Sequence, residues 1–218
     1  MVSMAQAAVD GEIICALCFD YGQKAAEQEI ESAKKICEHY KVPCNIVNLD
    51  FMKDIAKGAL LEKDVEIPRI TEDNLRCSLE INFESAKAVW VPNRNAILVS
   101  IGAAYAEKLN ADTIVTGFNA EEAITFLDNS LQFVNAMNQL FRFSTQNKPR
   151  LISFTQSYNK VGVVNLGFKL KVPFEHLYSC YRGAPKLCGE CESCARLKRA
   201  FRSAGQWEAV RKKFKGEK

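Results

Sequence analysis

The chain has 218 residues, of which 48% are apolar and 25% charged, with a net charge of +3. That composition belongs to a folded globular protein large enough for one sizeable α/β domain or two small ones, and no apolar run of about 18 residues exists to span a membrane. The charge is uneven, because residues 186–218 hold ten Lys and Arg against four Glu while the remainder is net acidic.

Met1 to Gly11 has no basic n-region and no apolar h-region, and Asp10 and Glu12 interrupt it, so it does not read as a signal peptide. A cytoplasmic, reducing compartment follows, with free or metal-bound thiols. Glu12 to Phe19 is a short apolar run and predicts a buried parallel strand. Asp20-Tyr21-Gly22-Gln23 is the turn after it. Lys24 to Tyr40 predicts a helix with Ala26, Ile30, Ala33, Cys37 and Tyr40 on one face, ended by Pro43. Pro43 to Leu49 predicts a second strand, which completes a βαβ beginning and implies a parallel sheet. Phe51 to Glu62 reads as a short helix. Lys63 to Val91 has little periodicity and reads as one long loop. Cys77 within it is taken as unrelated to the cysteines near the C-terminus.

Asn93 to Leu109 predicts a helix, apolar nearly all round and so buried. Asp112 to Thr116 predicts a strand closed by Gly117, and Phe118 to Asn129 an acidic loop. Ser130 to Phe143 predicts a helix capped by Ser130, with Phe133, Met137 and Leu140 inward. Leu151 to Thr155 predicts a strand, and Asn159 to Leu170 a helix that Pro173 ends. The alternation argues for an α/β, Rossmann-like, doubly wound parallel sheet. Residues 1–178 would form that domain, and residues 179–218 a cysteine module with a basic C-terminal helix packed on it. The basic tail reads either as a contact for RNA or phosphates or as a solvated helix whose cations complement its dipole. The second is favoured, because stacking aromatics do not alternate with the charges.

Ligands bind beyond the carboxyl ends of strands in such a sheet. Phe19, Asp20, Tyr21 and Gln23 follow the first strand, where an aromatic and a carboxylate suit a purine; a plain Asp/Gly turn is the alternative. Pro92-Asn93-Arg94-Asn95 opens a helix, and Arg94 beside helix amides suits a phosphate or carboxylate. Gly117, Asn119, Glu121, Glu122 and Asp128 follow a later strand, and acidic side chains there suit Mg²⁺ bridging nucleotide phosphates. The alternatives are a surface arginine at a helix start and a solvated acidic loop. His39 and His176 carry no clear chemistry; packing is the preferred reading for His176.

Cys180, Cys188, Cys191 and Cys194 are spaced C-x7-C-x2-C-x2-C. Four thiolates so placed suit one tetrahedral structural zinc. Disulfides are disfavoured by the compartment, and an iron–sulfur cluster stays open, although no proline follows the last cysteine.

These stretches, in this order, resemble the 7-cyano-7-deazaguanine synthase family. The resemblance is carried by Phe19-Asp20-Tyr21-Gly22-Gln23, Val91-Pro92-Asn93-Arg94-Asn95, Thr116-Gly117 with Asn119-Ala120-Glu121-Glu122-Ala123, Asp128-Asn129-Ser130, Asn159-Lys160 with Leu166-Gly167, and the module from Ser179-Cys180-Tyr181 to Cys194. It runs from about Phe19 to Phe201. It implies an adenine-nucleotide-binding fold, one zinc on the four cysteines and a homodimer. It also implies ATP-dependent conversion of 7-carboxy-7-deazaguanine and ammonia to the nitrile, on the route to queuosine. Arg94, Glu121 and Glu122 would act in catalysis. Phe19, Asp20, Tyr21, Gln23, Asn95, Gly117, Asn119, Asp128 and Lys160 would bind nucleotide or substrate.

The chain departs from the family in several respects. The family's Ser-Gly-Gly-x-Asp-Ser phosphate loop has no counterpart before Asp20, and neither has the strand before that loop. Leu127 stands where proline is usual, and Gly162 where glutamate is common. A truncated start with weak ATP binding is therefore an expectation. Two further readings remain: a non-catalytic relative that carries or binds a deazapurine, and a zinc-stabilised RNA-binding module.

Overall fold

The computed structural model describes residues 1–77 and 79–217. Ser78, inside the stretch read as a long loop, and Lys218 lie outside the described residues. The contacts divide the chain into two compact units, one of Met1–Ala16 with Asn93–Val172 and one of Leu17–Pro92 with Pro173–Lys218. Both are α/β. Among the described residues no helix is long and apolar enough to cross a membrane.

In the first unit, strands β3 (Thr113–Thr116) and β4 (Arg150–Ser153) pair in parallel, with Ile114 opposite Leu151 and Val115 opposite Ile152. Helix α6 (Arg94–Lys108) precedes β3, α7 (Leu131–Ser144) links β3 to β4, and α8 (Lys160–Lys169) follows β4. Val99 and Ala103 of α6, Val134, Met137 and Phe141 of α7, Phe118 and Leu151 form the buried core. The buried positions of α7 fall three and four apart, as a single helical face requires. Ser130 caps α7 as the sequence predicts, its Oγ accepting from Phe133 N at 3.1 Å. Leu140 does not turn inward. It falls between the buried rows and is 48% exposed.

The stretch before Glu12 forms a helix the sequence reading did not assign, α1 (Val2–Asp10). It packs against β3 and α8, with Val2, Ser3 and Ala5 buried. Its small residues give little apolar contrast, which hid the period.

In the second unit, β1 (Ala16–Asp20) and β2 (Cys44–Asn48) form a two-stranded sheet joined by α2 (Ala26–Tyr40). The first strand begins four residues later than the apolar run suggested. The helix expected over Phe51–Glu62 is a single turn, α3 (Met52–Ile55), followed by turns.

The long loop expected over Lys63–Val91 is corrected. It contains two helices, α4 (Glu72–Cys77) and α5 (Leu79–Ala88). Thr71 and Asn74 start α4 with a reciprocal capping box: Asn74 N donates to Thr71 Oγ1 at 3.2 Å, and Thr71 N to Asn74 Oδ1 at 3.0 Å. The buried side of α5 and its end is Asn82, Ser85, Ala86 and Val89, spaced three, one and three, while Ile81 and Phe83 face outward. A helix that buries amide and hydroxyl and exposes aromatic and aliphatic side chains inverts the usual pattern, so periodicity could not find it.

The C-terminal helix α9 (Glu192–Ser203) is not simply solvated as expected. It buries Glu192, Cys194, Ala195, Arg196, Ala200 and Phe201, which lie on several sides of the helix. Ala195 packs with Ile70 and Leu75, and Phe201 meets Phe174 edge to face at 5.1 Å. Inside, Glu192 accepts from Arg196 Nε and Nη2 at 2.9 and 2.7 Å and from Ser85 Oγ at 2.8 Å. Beyond the helix, Leu187 N donates to Lys213 O and Lys215 N to Leu187 O, each at 2.9 Å.

Candidate functional site

In the first unit the chemistry gathers after the carboxyl ends of β3 and β4. The segment after Gly117 turns through Asn119, which is 2% exposed and organises the acidic turn. Asn119 Oδ1 accepts from Glu122 N at 3.1 Å, and its Nδ2 donates to Glu122 Oε2 at 2.7 Å. The other oxygen of Glu122 lies 2.7 Å from Lys160 Nζ. Lys160 opens α8, and its backbone N–H donates to Glu121 Oε2 at 3.1 Å. Asn159 caps that helix by accepting from Gly162 N at 2.9 Å. Asn119, Glu121, Glu122 and Lys160 thus form one network from two chain segments.

A second group adjoins it. Arg94 starts α6, with Nε 3.3 Å from Asn95 Oδ1, and Asn95 Nδ2 reaches the Asp128 main-chain oxygen at 3.4 Å. Burial raises the Asp128 carboxyl above its ordinary range; the Arg94 charge and the Asn129 amide pull it down in part, while Glu122 pushes it further up. The two groups therefore feel each other's charge. A Cβ added at Gly117 would meet nothing within 4 Å, so open space borders the turn.

Residues that the sequence reading did not single out complete this end. Ser153 and Thr155 both donate to Phe118 O, at 2.7 and 2.8 Å, and hold the β3 turn against β4. Gln156 Nε2 donates to Asn129 O at 2.9 Å. The polar spacing Ser153, Thr155, Gln156 at the close of a predicted strand was the available signal.

In the second unit, the turn after β1 is internally bonded. Asp20 Oδ1 accepts from Gly22 N at 3.0 Å. Gln23 Oε1 accepts from Tyr21 N at 2.9 Å, while its Nε2 donates to Phe19 O at 3.0 Å and to Glu29 at 2.9 Å. Tyr21 and Gln23 are buried. Gly22 has φ +86°, the left-handed region this turn needs. The amide of Gln23 is thus engaged in shaping the turn, and the Asp20 carboxylate keeps further acceptor capacity.

The same unit holds a candidate metal centre. The Sγ atoms of Cys180, Cys188, Cys191 and Cys194 all lie within 4.8 Å of one another, and Cys188 Sγ is 3.9 Å from Cys194 Sγ. A tetrahedral ion with metal–sulfur bonds of about 2.3 Å requires sulfur separations of roughly 3.8 Å, so the donor set fits. Backbone amides stabilise thiolates here: Arg182 N and Cys188 N point at Cys180 Sγ (3.4 and 3.5 Å), and Glu190 N and Cys191 N at Cys188 Sγ (3.4 and 3.3 Å). Hydrogen bonds from Cys180, Cys191 and Cys194 push the Cys188 thiol well below its ordinary value. Within the cluster Cys180 and Cys188 are pushed down while Cys191 and Cys194 are pushed up, and elsewhere burial raises Cys18 to about 11 and Cys37 to about 12, which disfavours their thiolates. Among the described residues no other cluster of His, Cys, Asp or Glu converges this way. Glu121, Glu122 and Asp128 therefore do not form a closed three-ligand cage.

Residues 1–205 match the family model described as queuosine biosynthesis protein QueC. A 7-cyano-7-deazaguanine synthase of Pelotomaculum thermopropionicum is 46% identical over 94% of this chain and 92% of its own length. Proteins of the same name from Carboxydothermus hydrogenoformans and Methanosarcina barkeri are 45% and 42% identical, over 91% and 94% of this chain and 91% and 90% of their own lengths.

Proposed function

The chain belongs to the QueC family, and from that premise we propose that it is a 7-cyano-7-deazaguanine synthase, a ligase that converts 7-carboxy-7-deazaguanine and ammonia to 7-cyano-7-deazaguanine with ATP. The observation that brings this reading onto the chain's own residues is the meeting of Asn119, Glu121, Glu122 and Lys160 with Arg94 and Asp128 beyond the ends of parallel strands. The attributed fold is the Rossmann-like, doubly wound, adenine-nucleotide-binding type, supported by the parallel β3–β4 pair and its crossover helix α7.

The reaction explains the residue types. A carboxylate is a poor electrophile, so an oxygen must first become a leaving group by adenylation. Ammonia then displaces AMP to give an amide, and a second activation, of the amide oxygen, lets that oxygen leave with AMP as the nitrogen loses its protons and the nitrile forms. No covalent protein nucleophile is needed; positioning and charge neutralisation supply the rate. Arg94, at a helix start, suits the substrate carboxylate or a phosphate. Lys160 suits a phosphate, held in place by Glu122. One or two of Glu121, Glu122 and Asp128 would hold Mg²⁺ together with ATP phosphates, and the ion would supply charge neutralisation there. Phe19, Asp20, Tyr21, Gln23, Asn95 and Gly117 are proposed nucleotide or substrate contacts. The four cysteines would hold Zn²⁺ in a structural role, closed to substrate. A homodimer is the proposed assembly.

The test is incubation with 7-carboxy-7-deazaguanine, an ammonium salt, ATP and Mg²⁺, with product identified by mass. Formation of the nitrile is expected. Folded protein that binds the substrate but yields neither amide nor nitrile would sink the reading in favour of a non-catalytic relative.

A further inference from the structure

We propose that Gln156 is a specificity-determining residue of this site, its side-chain oxygen accepting a hydrogen bond from the exocyclic amino group of a bound planar heterocycle. The proposal rests on the synthase reading above. Gln156 lies in the turn that leaves β4, closed by Gln156 N to Ser153 O at 3.2 Å and Tyr158 N to Thr155 O at 3.0 Å. Its Nε2 donates to Asn129 O at 2.9 Å. A main-chain oxygen only accepts, so this bond fixes which end of the amide is nitrogen. The opposite end is therefore Oε1, and that atom is buried with no hydrogen-bond partner.

A buried amide oxygen left unpaired is costly, and such atoms call for a reason. Gln23 shows the contrasting case: its oxygen accepts once, from Tyr21 N, and its nitrogen donates twice, to Phe19 O and to Glu29 of α2. In the first unit Asn147 also has a buried oxygen without a partner, but its amide bridges the carbonyls of Ala106 and Ala111, at the amino end of β3. Gln156 is tied to Asn129, whose own amide donates to Asp128 Oδ1 at 3.3 Å. The Gln156 side chain is thus tied to the segment that carries Asp128, which Asn95 also contacts.

An oriented, desolvated acceptor selects for a ligand N–H and rejects the analogue that lacks it, because the acceptor is then left unpaired. Two ligands of the proposed reaction offer such a donor, the amino group of the deazaguanine ring and that of the adenine of ATP. Calorimetric titration distinguishes them when each is paired with its deamino analogue: 7-carboxy-7-deazaguanine with its 2-deamino form, and ATP with inosine triphosphate.

Native protein should prefer the amino-bearing member of one pair by tenfold or more. Gln156→Leu should abolish that preference and lower affinity for the deamino member far less; the pair affected identifies the source. Gln156→Met, unbranched and of similar length, gives the same reading if the leucine variant does not fold. A preference left intact by these variants overturns the proposal, as does equal weakening of both members of each pair, which is what a merely structural role would give. Native protein that binds no member of either pair overturns the synthase reading itself. Binding without any preference for the amino group overturns only the assignment to Gln156.

Discussion

Lys160 and Glu122 form an ion pair at 2.7 Å whose two side chains remain about a quarter exposed (26% and 29%). A pair this accessible contributes on the order of 1 kcal/mol or less to stability. In the proposed site it sets an ammonium beside Asn119 and Glu121, where a phosphate would be held. Lys160→Met should therefore lower turnover by roughly 100-fold, the order seen when one electrostatic contact to the transition state is removed. The melting temperature should change by no more than a few degrees. Steady-state kinetics beside a thermal melt check this, and a large stability loss with normal turnover of the folded fraction would count against it.

Asp128 gives a pH prediction. Burial holds its folded-state carboxyl above its unfolded value. A carboxyl raised in this way contributes stability that is fully present below the unfolded value and is lost as pH rises through the folded one. At neutral pH the ionised group is a net cost to the fold. Asp128→Asn should raise the melting temperature at pH 7, lose that advantage in acid and impair turnover. Melts recorded across pH 3 to 7 decide the matter. A variant less stable than the native protein at pH 7 would show that ionised Asp128 supports the fold.

Cys191→Ser tests the metal centre. Native protein should carry about one zinc per chain by elemental analysis. The variant should lose it and melt on the order of 10 °C lower, since loss of a structural metal belongs among the largest single-residue effects. Iron with visible absorption in the native protein would replace zinc by a cluster.

Gly183→Ala tests how the cysteine loop is seated. Gly183 has φ +72°, and a Cβ there would lie 2.1 Å from the carbonyl oxygen of Lys24. Backbone, unlike a flexible side-chain tip, cannot yield cheaply. The substitution should cost on the order of 1–3 kcal/mol from strain alone and reduce zinc retention in chelator. Urea unfolding and chelator titration measure both; wild-type behaviour in both would show that the loop can be seated another way.

Much of this was legible from the sequence where residue type and position agreed. The four cysteines converge as their spacing required, and Ser130 caps α7. The acidic turn after β3 and the start of α6 carry the residues the motifs pointed to. What escaped did so for physical reasons. α5 buries Asn82 and Ser85 because Glu192 supplies a distant partner for Ser85, which no local pattern reveals. α1 is too rich in alanine for its faces to differ. Gln156 is tied to the proposed site through a bond to the Asn129 main chain, and main-chain partners leave no mark on the identity of either residue.

The paired amides that tie Leu187 to Lys213 and Lys215 bear on the timing of biosynthesis. Leu187 immediately precedes Cys188, so the backbone that presents this sulfur is braced by residues translated more than twenty positions later. While the ribosome still holds that later segment, the cysteine loop lacks its brace. A metal bound before Lys213 has emerged would therefore sit in an unbraced loop, and a nascent chain paused at that point presents reduced, unscreened thiols to whatever soft ions or oxidants surround it.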